Sequence, residues 1–313
     1  MLRSRTFVFT ALLSLLATVA AADTIHRTFN VAPGGTLTLD TDAGDVRVDP
    51  GASGVTVDVT RDARAERDLT VTFDQQQNNV TVHGRYTHGT SWFHWGNESA
   101  KFTVTVPSRY NMNINTAGGD IELGSLQGEV RCRTSGGDIR TGRIDGPVDG
   151  HTSGGDVSVD AASGRLELNT SGGTIHVGDA AAAVQAKSSG GSIDVHHVGG
   201  DLYARTSGGS IAIDEALGAV DAQTSGGSIR ANFARQPRAD SRLSTSGGGI
   251  TISVAPNVAF DVDAHTSGGD VDTDVPVTLL GRQSESSLQG KINGGGPKLV
   301  LRSSGGGIRL RKM

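Results

Sequence analysis

Apolar residues two apart, broken by glycine corners, recur along this chain with a period of 18 residues. The phrase Thr/Ser-Ser/Ala-Gly-Gly opens each unit, at Thr116, Thr134, Thr152, Thr170, Ser188, Thr206 and Thr224, and returns at Thr245, Thr266 and Ser303 after spacings of 21, 21 and 37 residues. The first two wider gaps read as local insertions, and the last as room for two turns whose middle signature has worn away. Counting from the Thr or Ser as position one, position six reads Ile121, Ile139, Val157, Ile175, Ile193, Ile211, Ile229, and position eight reads Leu123, Thr141, Val159, Val177, Val195, Ile213, Ala231. Position fifteen (Val130, Val148, Leu166, Val184, Leu202, Val220) and position seventeen (Cys132, Gly150, Leu168, Ala186, Ala204, Ala222) repeat the alternation. Spacing of two is the signature of a strand with one buried face. Each unit therefore predicts two short strands, separated by the Gly-Gly corner and by a second corner at position thirteen, mostly Gly.

No unit can close a core alone, because a few small apolar side chains at about 1.5–3 kcal/mol each barely offset the entropy of ordering the segment. Stacking resolves this: turns about 4.8 Å apart bond backbone to backbone and align Ile on Ile and Val on Val. The fold class predicted is all-β, a single-stranded β-helix or β-solenoid with about 18 residues per turn, preceded by an irregular β N-terminal cap. By parity the position-one Thr points inward, its hydroxyl bonding the Gly-Gly backbone. Two related architectures do not fit. The left-handed hexapeptide helix wants an aliphatic residue every six positions, whereas positions twelve and eighteen are predominantly polar. The calcium-binding nonapeptide roll carries its signature every nine residues, and this one comes once per 18.

Residues 1–22 read as a secretory signal: Arg3 and Arg5, an apolar run from Phe7 to Ala17, and Ala20-Ala21-Ala22 before Asp23. That run is too short to span a bilayer comfortably, and no later segment is apolar enough to cross one. The expected domains are a signal peptide at 1–22, an N-terminal β cap region at 23–110 and a repeat β-solenoid at 111–313. The expected location is export, to the periplasm, the cell surface or the medium. The cap segments Thr36–Asp40, Val55–Val59, Leu69–Phe73, Val80–His83 and Phe102–Pro107 alternate, and Ala43-Gly44-Asp45-Val46 resembles a worn signature. Such a cap seals one open end of the solenoid, and the cations of Ile308-Arg-Leu-Arg-Lys312 read as a charge guard on the last strand.

Composition sharpens this. Gly accounts for 45 of 313 residues and aromatic residues for 4%, values that suggest low complexity until the period places the glycines at fixed phases. The formal charge is -5, and removing the signal arginines leaves 26 cations against 33 acids, or -7. A mildly acidic surface of mixed signs argues against a nucleic-acid or polyanion binder. Cys132 is the sole cysteine, so no intrachain disulfide forms, and its place in the repeat marks it as a small buried hydrophobe.

Three features carry candidate chemistry. Asp120, Asp138 and Asp156 fall at position five of consecutive turns and stack into a carboxylate column. That column either captures a divalent cation or caps the Gly-Gly turn, as Ser192, Ser210 and Ser228 do later. The stretch from His83 to Glu98 holds Trp92, Phe93, His94 and Trp95, the densest aromatic and imidazole cluster, readable as a partner-contacting tip or as a plug of the solenoid end. Between Thr116 and Asn232 the sole aromatic is Tyr203. No nucleophile elbow, phosphate loop or dinucleotide fingerprint is present, and no catalytic, cofactor or metal residue is assigned.

Val106-Pro107, Tyr110-Asn-Met-Asn113, Thr116-Ala-Gly-Gly-Asp-Ile121 and the iterated Thr-Ser-Gly-Gly-Asp/Ser-Ile resemble the bacterial putative-adhesin family known as domain of unknown function 4097. Gly290-Lys-Ile-Asn-Gly-Gly-Gly296 and Leu299-Val-Leu-Arg-Ser-Ser-Gly-Gly-Gly-Ile308 resemble the ends of its members. The resemblance implies a β-solenoid of the cell envelope with no catalytic residues to carry over. The expected function is a non-enzymatic, exported envelope adhesin or scaffold module whose partner is an envelope glycan or a membrane protein. The alternatives are an envelope-stress accessory bound to a membrane protein, and a carbohydrate-active β-helix enzyme.

Overall fold

Each repeat unit forms one rung of a β-solenoid with two long, mostly parallel sheets. The computed structural model describes residues 23–51, 53–62, 65–87, 100–280 and 284–313. The signal segment and Trp92, Phe93, His94 and Trp95 lie outside the described residues. Among the described residues no helix is long and apolar enough to cross a membrane.

Both sheets have 15 strands. The first carries positions six and eight. Ile121, Ile139, Val157, Ile175 and Ile193 pair rung to rung in register, each fully buried. The second carries positions fifteen and seventeen, where Val130, Val148, Leu166, Val184, Leu202 and Val220 stack in the same way. The two apolar faces meet in one continuous core. Cys132 lies fully buried within it, and burial pushes its thiol far above the ordinary range, so it packs as a hydrophobe and is not a nucleophile.

The corner shows why the signature repeats. Thr152 Oγ1 donates to the Gly137 carbonyl of the preceding rung at 2.8 Å and accepts from Gly155 N of its own rung at 3.3 Å. Thr170 and Thr206 repeat the arrangement toward Gly155 and Gly191. The second glycine of each pair is required by close approach: a Cβ on Gly155 would stand 2.2 Å from the Gly137 carbonyl oxygen.

Thr141 departs from the aliphatic column at position eight. It lies between Leu123 and Val159, 3% exposed, and its hydroxyl has no hydrogen-bond partner. An unpaired buried hydroxyl is destabilising. Thr141→Val keeps the shape and removes the polar atom, so it is expected to raise stability by about 1 kcal/mol, read as a higher melting temperature.

At the ends, rung order departs from chain order. Strand Thr36–Thr41 lies between Asn79–Tyr86 and Asn111–Thr116, and Asp45–Pro50 lies between Ala100–Val106 and Ile121–Leu123. Residues 36–50 thus make a regular rung, with Thr41 stacked on Thr116 and Val46 on Ile121, as the worn signature suggests. Antiparallel strands Asp23–Phe29, Val55–Arg61 and Leu69–Gln76 finish this end, where the Phe29 and Phe73 rings approach to 6.1 Å.

The C-terminal end corrects two expectations. The described residues between Thr273 and Lys298 hold no worn rung. They form the antiparallel strands Val277–Leu279 and Ser287–Ile292, and the chain then turns back through the left-handed Asn293, Gly294 and Gly295. The final rung slides between two earlier ones. Lys298–Ser303 pairs with Ser241–Thr245 on one side and Phe260–Thr266 on the other, and Ile308–Lys312 separates Ile250–Val254 from Val271–Thr273. The corner bonds follow space, not sequence: Thr266 Oγ1 donates to the Gly306 carbonyl and Ser303 Oγ to Gly248. Strand Ile308–Lys312 is therefore interior and guards no edge. Its Arg311 instead pairs with Asp272 of the neighbouring rung at 2.8 Å.

Candidate functional site

The acidic column resolves as a capping device. Asp138 N donates to Asp120 Oδ1 at 2.8 Å, Asp156 N to Asp138 Oδ1 at 2.7 Å and Thr174 N to Asp156 Oδ1 at 2.7 Å, so each carboxylate holds the next rung's amide. Ser192 and Ser210 do the same for the amides of Ser210 and Ser228. Arg140 bridges Asp120 and Asp138. The Oδ1 atoms of all three carboxylates are thus engaged within the wall.

The richest surface lies elsewhere, on the outward face of the second sheet. Alternation that buries positions fifteen and seventeen turns sixteen and eighteen outward. Strand register then aligns Arg133, His151, Asn169, Lys187, Arg205 and Gln223 in one column. Beside it Asp149, Glu167, Gln185, Tyr203 and Asp221 form a second. Arg133 donates to Asp149 at 2.9 Å, and Gln185 to Glu167 at 3.2 Å. His151 Nε2 faces Asp149 Oδ1 at 3.1 Å and lies 2.9 Å from Asn169 Nδ2.

Tyr203 sits at the middle of this face, with the Lys187 ammonium 5.6 Å and the Arg205 guanidinium 5.0 Å from its ring centre. Such contacts hold the cations over the ring without removing their charge. On one side of this ridge is a hollow of about 360 Å³ lined by Tyr203, Gln185, Asp221, Arg165 and Arg242 among others. On the other runs a polar groove along the Thr/Ser corner, in two stretches of about 550 and 460 Å³ that share Lys187, Ser188 and Ser189.

Two rows of hydroxyls line that groove and differ in state. The position-one hydroxyls bond the Gly-Gly backbone, as described for Thr152. The position-two serines Ser135, Ser153, Ser171, Ser189, Ser207 and Ser225 are exposed, and among the described residues none of their hydroxyls bonds another side chain or the backbone. Neither stretch has a carboxylate among its lining residues, whereas Arg133, Lys187 and Arg205 are all present. Sequence reasoning saw these columns only as polar phases and corner serines. The available signal was the column itself, read down the repeat at positions two and eighteen.

Three further histidines on the first sheet are outward: His176 is exposed, His196 faces Asp214 at 3.1 Å and His197 faces Glu215 at 3.7 Å.

The family model described as Toastrack DUF4097 matches residues 35–311. No curated protein matches the chain significantly. Among solved structures, the chain is similar to one described as a putative lipid binding protein from Parabacteroides distasonis, at 13% identity and a TM-score of 0.41, covering 93% of this chain and 97% of that one. It is also similar to a putative adhesin from Bacteroides fragilis, at 13% identity and a TM-score of 0.32, covering 94% and 98%. A putative adhesin from Parabacteroides merdae matches at 12% identity and a TM-score of 0.35, covering 92% and 95%.

Proposed function

Because this chain belongs to the Toastrack family, domain of unknown function 4097, we propose that it is a non-enzymatic β-solenoid interaction module, exported to the bacterial cell envelope, that binds an extended partner. The observation that carries this reading is the outward face of the second sheet, where Tyr203, Lys187 and Arg205 form a ridge between a hollow and a long polar groove. A stiff ladder holds these groups at fixed spacing before any partner arrives, so little ordering entropy is lost on binding. A carbohydrate-active enzyme needs two carboxylates set across a substrate path. The most regular acidic column here holds backbone amides instead.

The test is retention of the mature protein on immobilised envelope polysaccharide and on membrane extract. Paired Tyr203→Ala and Arg205→Glu substitutions are expected to lower retention at least tenfold, since a central aromatic and a cation dominate such contacts. Trp92→Ala with Trp95→Ala serves as the comparison. Loss of retention with the tryptophan pair, and none with the Tyr203/Arg205 pair, would move the contact off this face.

A further inference from the structure

We infer that the corner groove from Arg133 to Gln223 is the seat of a linear acidic polysaccharide lying parallel to the solenoid axis. This rests on the reading of the second-sheet face as the binding surface and names the ligand's chemistry. The groove repeats the same pair of features on every rung, an exposed position-two hydroxyl and an outward position-eighteen side chain. The rungs are about 4.8 Å apart, close to the advance of one sugar ring along an extended glycan. A polymer that offers hydroxyls at every residue meets free hydroxyls at every rung, each able to donate and accept.

Charge selects an anionic polymer. Arg133, Lys187 and Arg205 line the groove and no carboxylate does, although the whole chain carries a formal charge of -5. In the adjacent column Asp149 engages Arg133 and Glu167 engages Gln185, which leaves Lys187 and Arg205 as the groove cations with no ion-pair partner among the described residues. The average charge therefore hides a local basic track, and the mixed-sign argument against polyanions fails at this one place. His151 and Asn169, between Arg133 and Lys187, and Gln223, beyond Arg205, add side chains that hydrogen-bond the polymer's hydroxyls beside the cations.

Other extended ligands fit less well. The groove lining holds no Phe, Tyr or Trp, and its one imidazole, His151, is engaged by Asp149 and Asn169, so nucleobases have no row of rings to stack on. A peptide strand would need an open sheet edge, and here backbone bonds already join rung to rung, as from Gly172 N to the Ser153 carbonyl at 3.0 Å and from Gly190 N to Ser171 at 3.0 Å.

The test titrates the mature protein with polygalacturonate, dextran and inorganic polyphosphate, using the parent, Lys187→Ala with Arg205→Ala, and Ser171→Trp. Ser171 is exposed, so the tryptophan blocks the groove and leaves charge and core alone. Circular dichroism melting confirms that each variant folds. Polygalacturonate is expected to bind, to weaken with added salt, to lose about tenfold on removal of the two cations, and to lose at least as much with Ser171→Trp. Equal binding of dextran overturns the acid requirement. Polyphosphate binding that matches polygalacturonate and ignores Ser171→Trp overturns the groove, leaving only diffuse charge. Binding of none of the three, while Tyr203-dependent retention on membrane extract persists, overturns the polysaccharide and spares the proposed function. Retention indifferent to every substitution on this face overturns both.

Discussion

Truncation before Lys298 is expected to open the C-terminal end of the solenoid, because it removes a rung from between two others. Leu299, Leu301, Ile308 and Leu310 are all fully buried, and at about 1.5–3 kcal/mol each their loss rivals the whole stability of an ordinary domain. Phe260–Thr266 and Val271–Thr273 would lose their parallel neighbours, leaving exposed strand edges on both sides of an empty slot. In a stacked repeat, damage propagates through nearest neighbours only. Hydrogen exchange should therefore show loss of protection from residue 241 onward, with rungs between Thr134 and Thr224 still protected. A peptide covering residues 297–313, added in trans, is expected to restore protection by filling the slot. A truncated chain with unchanged exchange and melting would show that the inserted rung is not what closes this end.

The same rung makes this end acid-sensitive. Arg302 donates to Asp263 at 2.6 Å, and this hydrogen bond holds the Asp263 carboxyl below its usual range. A depressed folded pKa stabilises fully above the unfolded value of about 4 and is lost as pH falls through the folded value. The Asp263–Arg302 contact should thus weaken only in that acid range. Asp263→Asn removes this part of the acid dependence.

Gly137→Ala is expected to destabilise the solenoid by about 3 kcal/mol or more, while Gly136→Ala stays within about 1 kcal/mol. The two glycines are neighbours in one signature, and neither has a left-handed backbone. They differ in what a side chain would meet. A Cβ on Gly137 falls 2.2 Å from the Gly119 carbonyl oxygen, whereas on Gly136 the nearest atom is 3.4 Å away. The Gly119 carbonyl also accepts from Thr134 Oγ1 at 2.8 Å, so it cannot swing aside without breaking the corner. Thermal melting of the two variants checks this. Equal melting temperatures would mean that the rungs separate easily, against the packing described.

Which residues face the core, and that Ile139, Val157 and Ile175 stack in one column, followed from sequence, because a period-two alternation inside an 18-residue repeat leaves one way to bury every rung. The position-one Thr was legible for the same reason, since parity turned it inward beside the Gly-Gly carbonyls. The Asp120 column was legible only as two alternatives. Choosing between them needed the distances to the next rung's amides.

The tertiary structure alone decided which rungs become neighbours. Nothing in the repeat distinguishes Ser303 stacking on Thr245 from Ser303 stacking beyond Thr266, because each rung offers the same hydrogen-bonding edge to any other. Interleaving at the two ends comes from the need to cover open strand edges, which depends on all the strands together. The groove was likewise invisible as a site: its hydroxyls and cations lie 18 residues apart in sequence and act together only once the coil brings them to a single strand spacing.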